Sequence, residues 1–268
     1  MKSPKEHILD RHLLGLLDQG KPSYQLGKLL VSDPEIGAIQ DFANTVSIKR
    51  LNYNDHGPVH MRQVAYNSVQ MLSLLQDAGI KGSMETEESG TFDDSVCAVM
   101  LAAFLHDLGM SVSRTDHEIT GIIIARPIME RLLKEVFPND LGKQVAIISV
   151  ATEGILGHMA NRRINSIEAG LLLVADGCDM EKGRARIPMS ISSAPKTGDI
   201  HKYSANSIEK VTIRKGEHKP ILVDVDMSSD VGFFQIEEVL LPKIVMSPAK
   251  QYVAVFAGVV GQPKKQYL

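Results

Sequence analysis

The chain has 268 residues, 44% of them hydrophobic and 23% charged, with a formal net charge of −3. That composition supports one large folded domain, or a domain with an appendage, and excludes disorder driven by charge. It offers no basic field for a nucleic-acid backbone, and the two cysteines, Cys97 and Cys178, both in apolar stretches, fit reduced cytoplasmic thiols better than a disulfide framework.

In chain order, the N-terminal stretch MKSPKEHILDRHLLGLL places Ile8, Leu13, Leu14 and Leu17 near helical spacing. It shows no long apolar core ahead of a small-residue cleavage site, so no secretory leader is expected. No run approaches the roughly 20 apolar residues of a spanning helix, and no membrane partner is expected. HMRQVAYNSVQMLSLLQDAG carries Val64, Val69, Leu72 and Leu75 on one stripe and ends at Gly79, a favoured residue just past a helix. Residues 82 to 94 read as a polar acidic loop. Ser95 to Leu108 reads as an apolar helix, stopped by Gly109.

The next helix is expected to open on a capping box made by Thr115 and Glu118, and to kink at Pro127. QVAIISVATEGIL reads as a buried helix. Ser166 can cap IEAGLLLVADGCDMEKG, which Gly183 would terminate. A Ser/Pro-rich connection follows. VTIRKG and ILVDVDM then alternate with period two around a turn at GEHK, FFQIEEVLLPKIVM reads as a helix despite Pro242, and QYVAVFAGVV reads as a strand. The expected fold is mainly α: a helical bundle over residues 1–190, then a small α+β unit of ββαβ order over 191–268. That second unit is assigned to dimerisation or regulation. Lys264 and Lys265 read as a solvated tail.

Several polar groups are not explained by apolar packing. In NDHGPVH, His56 and His60 stand one helical turn apart, with Asn54 or Asp55 available as a cap. His106 and Asp107 end the apolar helix. His117 opens the following one, and His158 sits in a loop-like GILGHMANRR. Asp176 interrupts a strongly apolar run, with Asp179 three residues on. Burying such groups is costly unless something satisfies them together, and a divalent cation does so by direct coordination. Imidazole and carboxylate ligands without a thiolate pair suit Mn, Fe, Co, Ni, Zn or Mg at a catalytic centre. Each residue also has a plainer reading: a surface His60, a helix-end His106–Asp107 hydrogen bond, an Asp176 paired with Arg184 or Arg186, an exposed His158. Glu153 is a weaker candidate to support the site, and Cys178 reads as a core residue.

Taken in order, His60, His106-Asp107 and Asp176, with the surrounding HGPVH, FLHDLG, HEITG and SIEAGLLLVADGCDMEKGRARIP, resemble the HD-domain superfamily of metal-dependent phosphohydrolases over residues 45 to 190. The resemblance implies a helical HD bundle with a metal held by those four residues. Relatives with two metals add histidines before the final Asp, where His117 and His158 stand, so it also implies a second metal with Asp107 bridging. The adjacent histidines of the two-metal pattern are not present near residue 158.

The implied activity is hydrolysis of a phosphate ester on a small, nucleotide-like substrate. His56 would be the proton donor to the leaving oxygen, Asp107 would stand at the reacting centre, and Arg184 and Arg186 would meet the phosphate. Two other readings stay open: a di-iron oxygenase built on the same ligands, and a metal-stabilised module without activity that mediates assembly. A homodimer through the C-terminal sheet edges is expected.

Overall fold

Prolines and caps set the first half of the chain. Each of α1 (Pro4–Gly15), α2 (Pro22–Ser32), α3 (Pro34–Thr45) and α4 (Pro58–Asp77) carries proline in its first turn, where the missing N–H has no helical partner to lose. Ser3 closes a capping box with Glu6, and the Asp33 side chain accepts from the backbone of Glu35 and Ile36. A π-helical turn, Val46–Arg50, links α3 to the segment before α4. The computed structural model describes residues 2–51, 53–182 and 204–268.

The bundle is organised around α6 (Phe92–Leu105). Every residue from Asp94 to Leu105 is buried, with α2, α4, α8 (Leu141–Gly157) and α9 (Ile167–Cys178) packed about it. The stretch Phe92–Ser111 is long and apolar enough to span a bilayer, but 94% of its most apolar 18 residues are buried inside the protein, so it serves as the core. α6 begins earlier than its apolar pattern suggests, because Thr91 and Asp94 cap it reciprocally. The acidic loop before it contains a short helix, α5 (Ser83–Thr86), whose backbone N–H groups at Ser83 and Met84 donate to the buried Glu168 carboxylate.

α6 also ends before the expected Leu108, at Leu105. A 3-10 turn, Leu108–Ser111, follows, and Gly109 lies against the first turn of α7 (His117–Val136). The expected capping box at Thr115 and Glu118 is absent. Asp116 caps α7 in a left-handed conformation (φ 52°) without a side-chain bond, and Glu118 points instead to His117, Asn161 and Arg162. α7 runs on through Pro127. Both Pro127 and Ile123, whose carbonyl loses its partner, lie on the exposed face. Asp140 and Ser166 cap α8 and α9 as side-chain acceptors. α9 stops at Cys178, short of Gly183, and Gly183 with residues 188–203 of the Ser/Pro-rich connection lies outside the described residues.

The C-terminal unit is a four-stranded sheet in the order β1 (Ile208–Lys215), β2 (Ile221–Met227), β3 (Val253–Val259), β4 (Lys265–Gln266). β1 and β2 pair antiparallel, while β2 and β3 pair parallel in a register running from Ile221–Val253 to Met227–Val259. The crossover between them holds a 3-10 turn (Asp230–Gly232), α10 (Phe233–Gln235), a π segment (Ile236–Leu240) and α11 (Leu241–Met246). Pro242 is tolerated because it falls in the first turn of α11. The segment read as a solvated tail instead adds β4, and Lys264 pairs with Asp224 and, at 2.7 Å, with Asp226. α4 packs against β1 and β2, with Gln70 donating to the Ile213 carbonyl, and α11 packs against α9. One hydrophobic cluster continues from Leu101 and Phe104 of the bundle to Val223, Val225 and Val255 of the sheet.

Candidate metal centre

His60 enters on the first turn of α4, whose position is locked by a buried guanidinium. Arg62 donates to Asp10 at 2.8 Å, to the Gln40 side chain at 3.2 Å and to the carbonyls of Pro58 and Val31. Gln40 donates in turn to the Phe104 carbonyl at 2.8 Å. The start of α4 is thereby tied to the end of α6, two residues before His106. Fully satisfied buried polar networks of this kind fix one arrangement.

His106 and His158 use a common device. Each follows the last residue of its helix, α6 or α8, where carbonyls lack helical partners. His106 Nδ1 donates to the Ala103 carbonyl at 2.9 Å, and His158 Nδ1 to the Ile155 carbonyl at 2.7 Å. His117 Nδ1 does the same to the Arg114 carbonyl at 2.9 Å. His60 Nδ1 meets a carboxylate, Asp179 Oδ2, at 2.6 Å. A carbonyl only accepts, so each of the first three rings carries its proton on Nδ1 and turns the Nε2 lone pair the other way.

Those Nε2 atoms converge. His60 and His106 stand 3.1 Å apart, and His117 and His158 stand 3.0 Å apart. Asp107 lies between the pairs. Its Oδ2 is 3.4 Å from His60 and 3.3 Å from His106, and its Oδ1 is 3.2 Å from His117 and 3.4 Å from His158. Asp176 Oδ1 is 3.2 Å from His60. His60, His106 and Asp107 form one group that can hold a metal ion, and Asp107, His117 and His158 form another, with the ligand atoms of each within 4.8 Å of one another.

The donor chemistry fits a cation. Lone pairs of neutral imidazoles do not hydrogen-bond one another, and the carboxylate oxygens between them add no donor. A proton on Nε2 would satisfy one contact, but burial holds His158 below its ordinary imidazole value. Burial also pushes Asp107 and Asp176 upward. For Asp107 the His106, His56 and His117 rings outweigh it, for Asp176 the Lys243 ammonium and the His60 and His106 rings do, and both carboxyls end well below their usual range. Both are therefore poised as anions.

The structure brings together His60, His106, Asp107, His117, His158 and Asp176, the six residues singled out in the sequence as ligand candidates. His158 is 1% exposed and caps α8, rather than sitting in an open loop. His56 lies just before α4, its ring 5.8 Å from that of His60 and its Nδ1 2.6 Å from the Asn54 carbonyl. Neither Asn54 nor Asp55 caps α4. Gly57 occupies that position, and its N–H donates to Asp55 Oδ1.

Arg184 and Arg186 lie outside the described residues. Glu153 accepts from the backbone of Asn165 and Ser166 and so supports the turn before α9, not the metal centre. Cys178 is buried, and that burial pushes its thiol up.

Lys243 was not found from the pattern. Its ammonium bonds Asp176 Oδ2, and it donates to the His158 carbonyl at 3.0 Å. Its signal in the sequence is a single cation inside the apolar run LLPKIVM. Asp179 is readable more easily, three residues after Asp176. Replacing Asp179 with alanine is expected to weaken metal binding about 10–100-fold, because His60 loses the partner that fixes its ring. Titration calorimetry with Mn²⁺ checks this, and an unchanged affinity would remove Asp179 from the site.

The chain is 40% identical over 235 residues to the "Uncharacterized protein MJ1020" of Methanocaldococcus jannaschii, a match that spans 86% of each chain. No protein-family model matches the chain, and no solved structure matches it.

Proposed function

We propose that this chain, which belongs to the family of the Methanocaldococcus jannaschii protein MJ1020, is a metal-dependent phosphohydrolase of the HD superfamily. The observation that carries this reading is the carboxylate of Asp107, with one oxygen facing the His60–His106 pair and the other facing the His117–His158 pair. His60, His106, Asp107 and Asp176 would hold one divalent ion, and Asp107, His117 and His158 a second. Mn, Fe, Co, Ni, Zn and Mg all suit nitrogen and oxygen donors.

A bound ion of this kind brings the pKa of its water toward neutrality and polarises a phosphoryl oxygen. The protein's own groups do the rest. Asp107 and Asp176 contribute two negative charges, so a centre loaded with two divalent ions keeps a positive balance that suits a phosphate dianion. His56, half-buried with its ring 5.8 Å from that of His60, would hand a proton to the leaving oxygen. Arg184 and Arg186 directly follow the Asp176 segment in the sequence and would meet the remaining phosphate oxygens.

The test is metal analysis of the purified protein joined to a screen of phosphomonoesters, cyclic nucleotides and nucleoside triphosphates. Bound metal and a chelator-sensitive cleavage are expected. Cleavage that persists after complete metal removal would overturn the reading. Affinity for the ion should also fall in acid, where protons compete for the ligands, and burial, which holds His158 below its ordinary imidazole value, delays that loss for this ligand.

The convergence of all four histidines favours one second reading, a di-iron centre that activates oxygen. Anaerobic purification followed by oxygen-uptake measurements on the same substrates separates it from hydrolysis.

A further inference from the structure

The only cation bonded to the metal centre, among the described residues, comes from the C-terminal unit. Lys243 lies in α11, on the crossover between β2 and β3, and reaches back over α9. Its ammonium bonds Asp176 Oδ2 and donates to the carbonyl of His158. The first of these residues belongs to the His60–His106 side of the centre and the second to the His117 side. The lysine side chain is 14% exposed. Its stem lies against the helix at Gly177, where a Cβ would come within 3.2 Å of the Lys243 Cδ.

We infer that Lys243 is a built-in counter-charge of the metal centre: it neutralises Asp176 while the site is empty of metal and holds metal affinity below what the ligands alone would give. The inference rests on the metal-centre reading above.

Two effects of the lysine oppose each other. A hydrogen bond that steadies a ligand strengthens metal binding. A full positive charge beside the ion, at low exposure, weakens it. Asp176 is carried by α9, in which every residue from Glu168 to Cys178 is buried, so packing of the helix fixes where its side chain emerges. Its direction therefore depends little on Lys243, and the charge effect dominates. The same ammonium makes the C-terminal unit an electrical part of the centre, so any shift of α11 away from α9 tightens the site on its ion.

The experiment compares Mn²⁺ binding to the full-length wild type, Lys243→Met and Lys243→Arg by titration calorimetry on metal-stripped protein. Lys243→Met is expected to bind Mn²⁺ about tenfold more tightly than wild type. Lys243→Arg, which keeps the charge, is expected to stay within about threefold. Thermal unfolding gives a second readout: the metal-free Met variant melts below wild type, and added Mn²⁺ raises its Tm by more than it raises that of wild type. Lys243→Gln serves in the same comparison if the Met variant does not fold. Unchanged or weakened Mn²⁺ affinity in the variants that lack the charge overturns the inference and leaves the metal centre standing. A wild type that binds no metal overturns the metal centre itself.

Discussion

Asp107→Ala is expected to abolish metal binding at both halves of the proposed centre at once. Among the described residues, Asp107 alone belongs to both the His60–His106 and the His117–His158 groups. Hydrolysis of a responsive phosphate ester should fall by about 10³-fold, the scale of losing a main electrostatic contribution to a transition state. The comparison with single-histidine variants makes the result specific. His158→Ala removes a ligand from one group only, and His60→Ala from the other, so each should keep part of the metal that Asp107→Ala loses. A stability measurement completes it. An ion at 100 times its dissociation constant stabilises the native state by about 2.7 kcal/mol, and the variant should lose that metal-dependent gain in Tm. An Asp107→Ala protein with metal content equal to wild type would end the bridging role.

Gly109→Ala is expected to be among the most damaging single-methyl changes in the chain. A Cβ there would fall 1.9 Å from the carbonyl oxygen of His117 and 2.6 Å from the Gly121 nitrogen. Both are backbone atoms of α7, so relief requires the helix to move. Overpacking of this kind costs about 3 kcal/mol or more when backbone must shift. Displacement of α7 also carries His117 away from Asp107, so loss of stability and loss of metal should appear together. Denaturant unfolding and metal analysis on one preparation read both. A variant with wild-type stability and full metal content would show that the approach of the 3-10 turn to α7 is not needed for the site.

Much of this architecture is legible in the amino-acid order. The buried helices announce themselves by apolar runs, and His106-Asp107 and Asp176 stand out because they interrupt those runs. The strands β1 and β2 follow from alternation. What escaped has physical causes. Helix ends depart from the apolar pattern where side chains compete for the same backbone groups. Thr91 and Asp94 extend α6 forward, and Glu118 serves His117, Asn161 and Arg162 instead of closing a capping box. His158 reads as a loop residue because the groups it meets, His106, Asp107 and His117, lie 41 or more residues earlier. Lys243 is invisible for the same reason: nothing local marks which carboxylate, 67 residues earlier, it will meet.

The unbroken apolar seam from α6 through α4 to β2 and β3 bears on how this protein can be recombined. A sheet that shares its interior with the helices is not an interchangeable cartridge. Grafting the last third of a relative onto these helices would have to bring along the matching faces of α4 and α9, or leave oil exposed on both sides of the joint. Drift in one half is thus checked by the other, and substitutions at the seam should arise in compensating sets rather than singly.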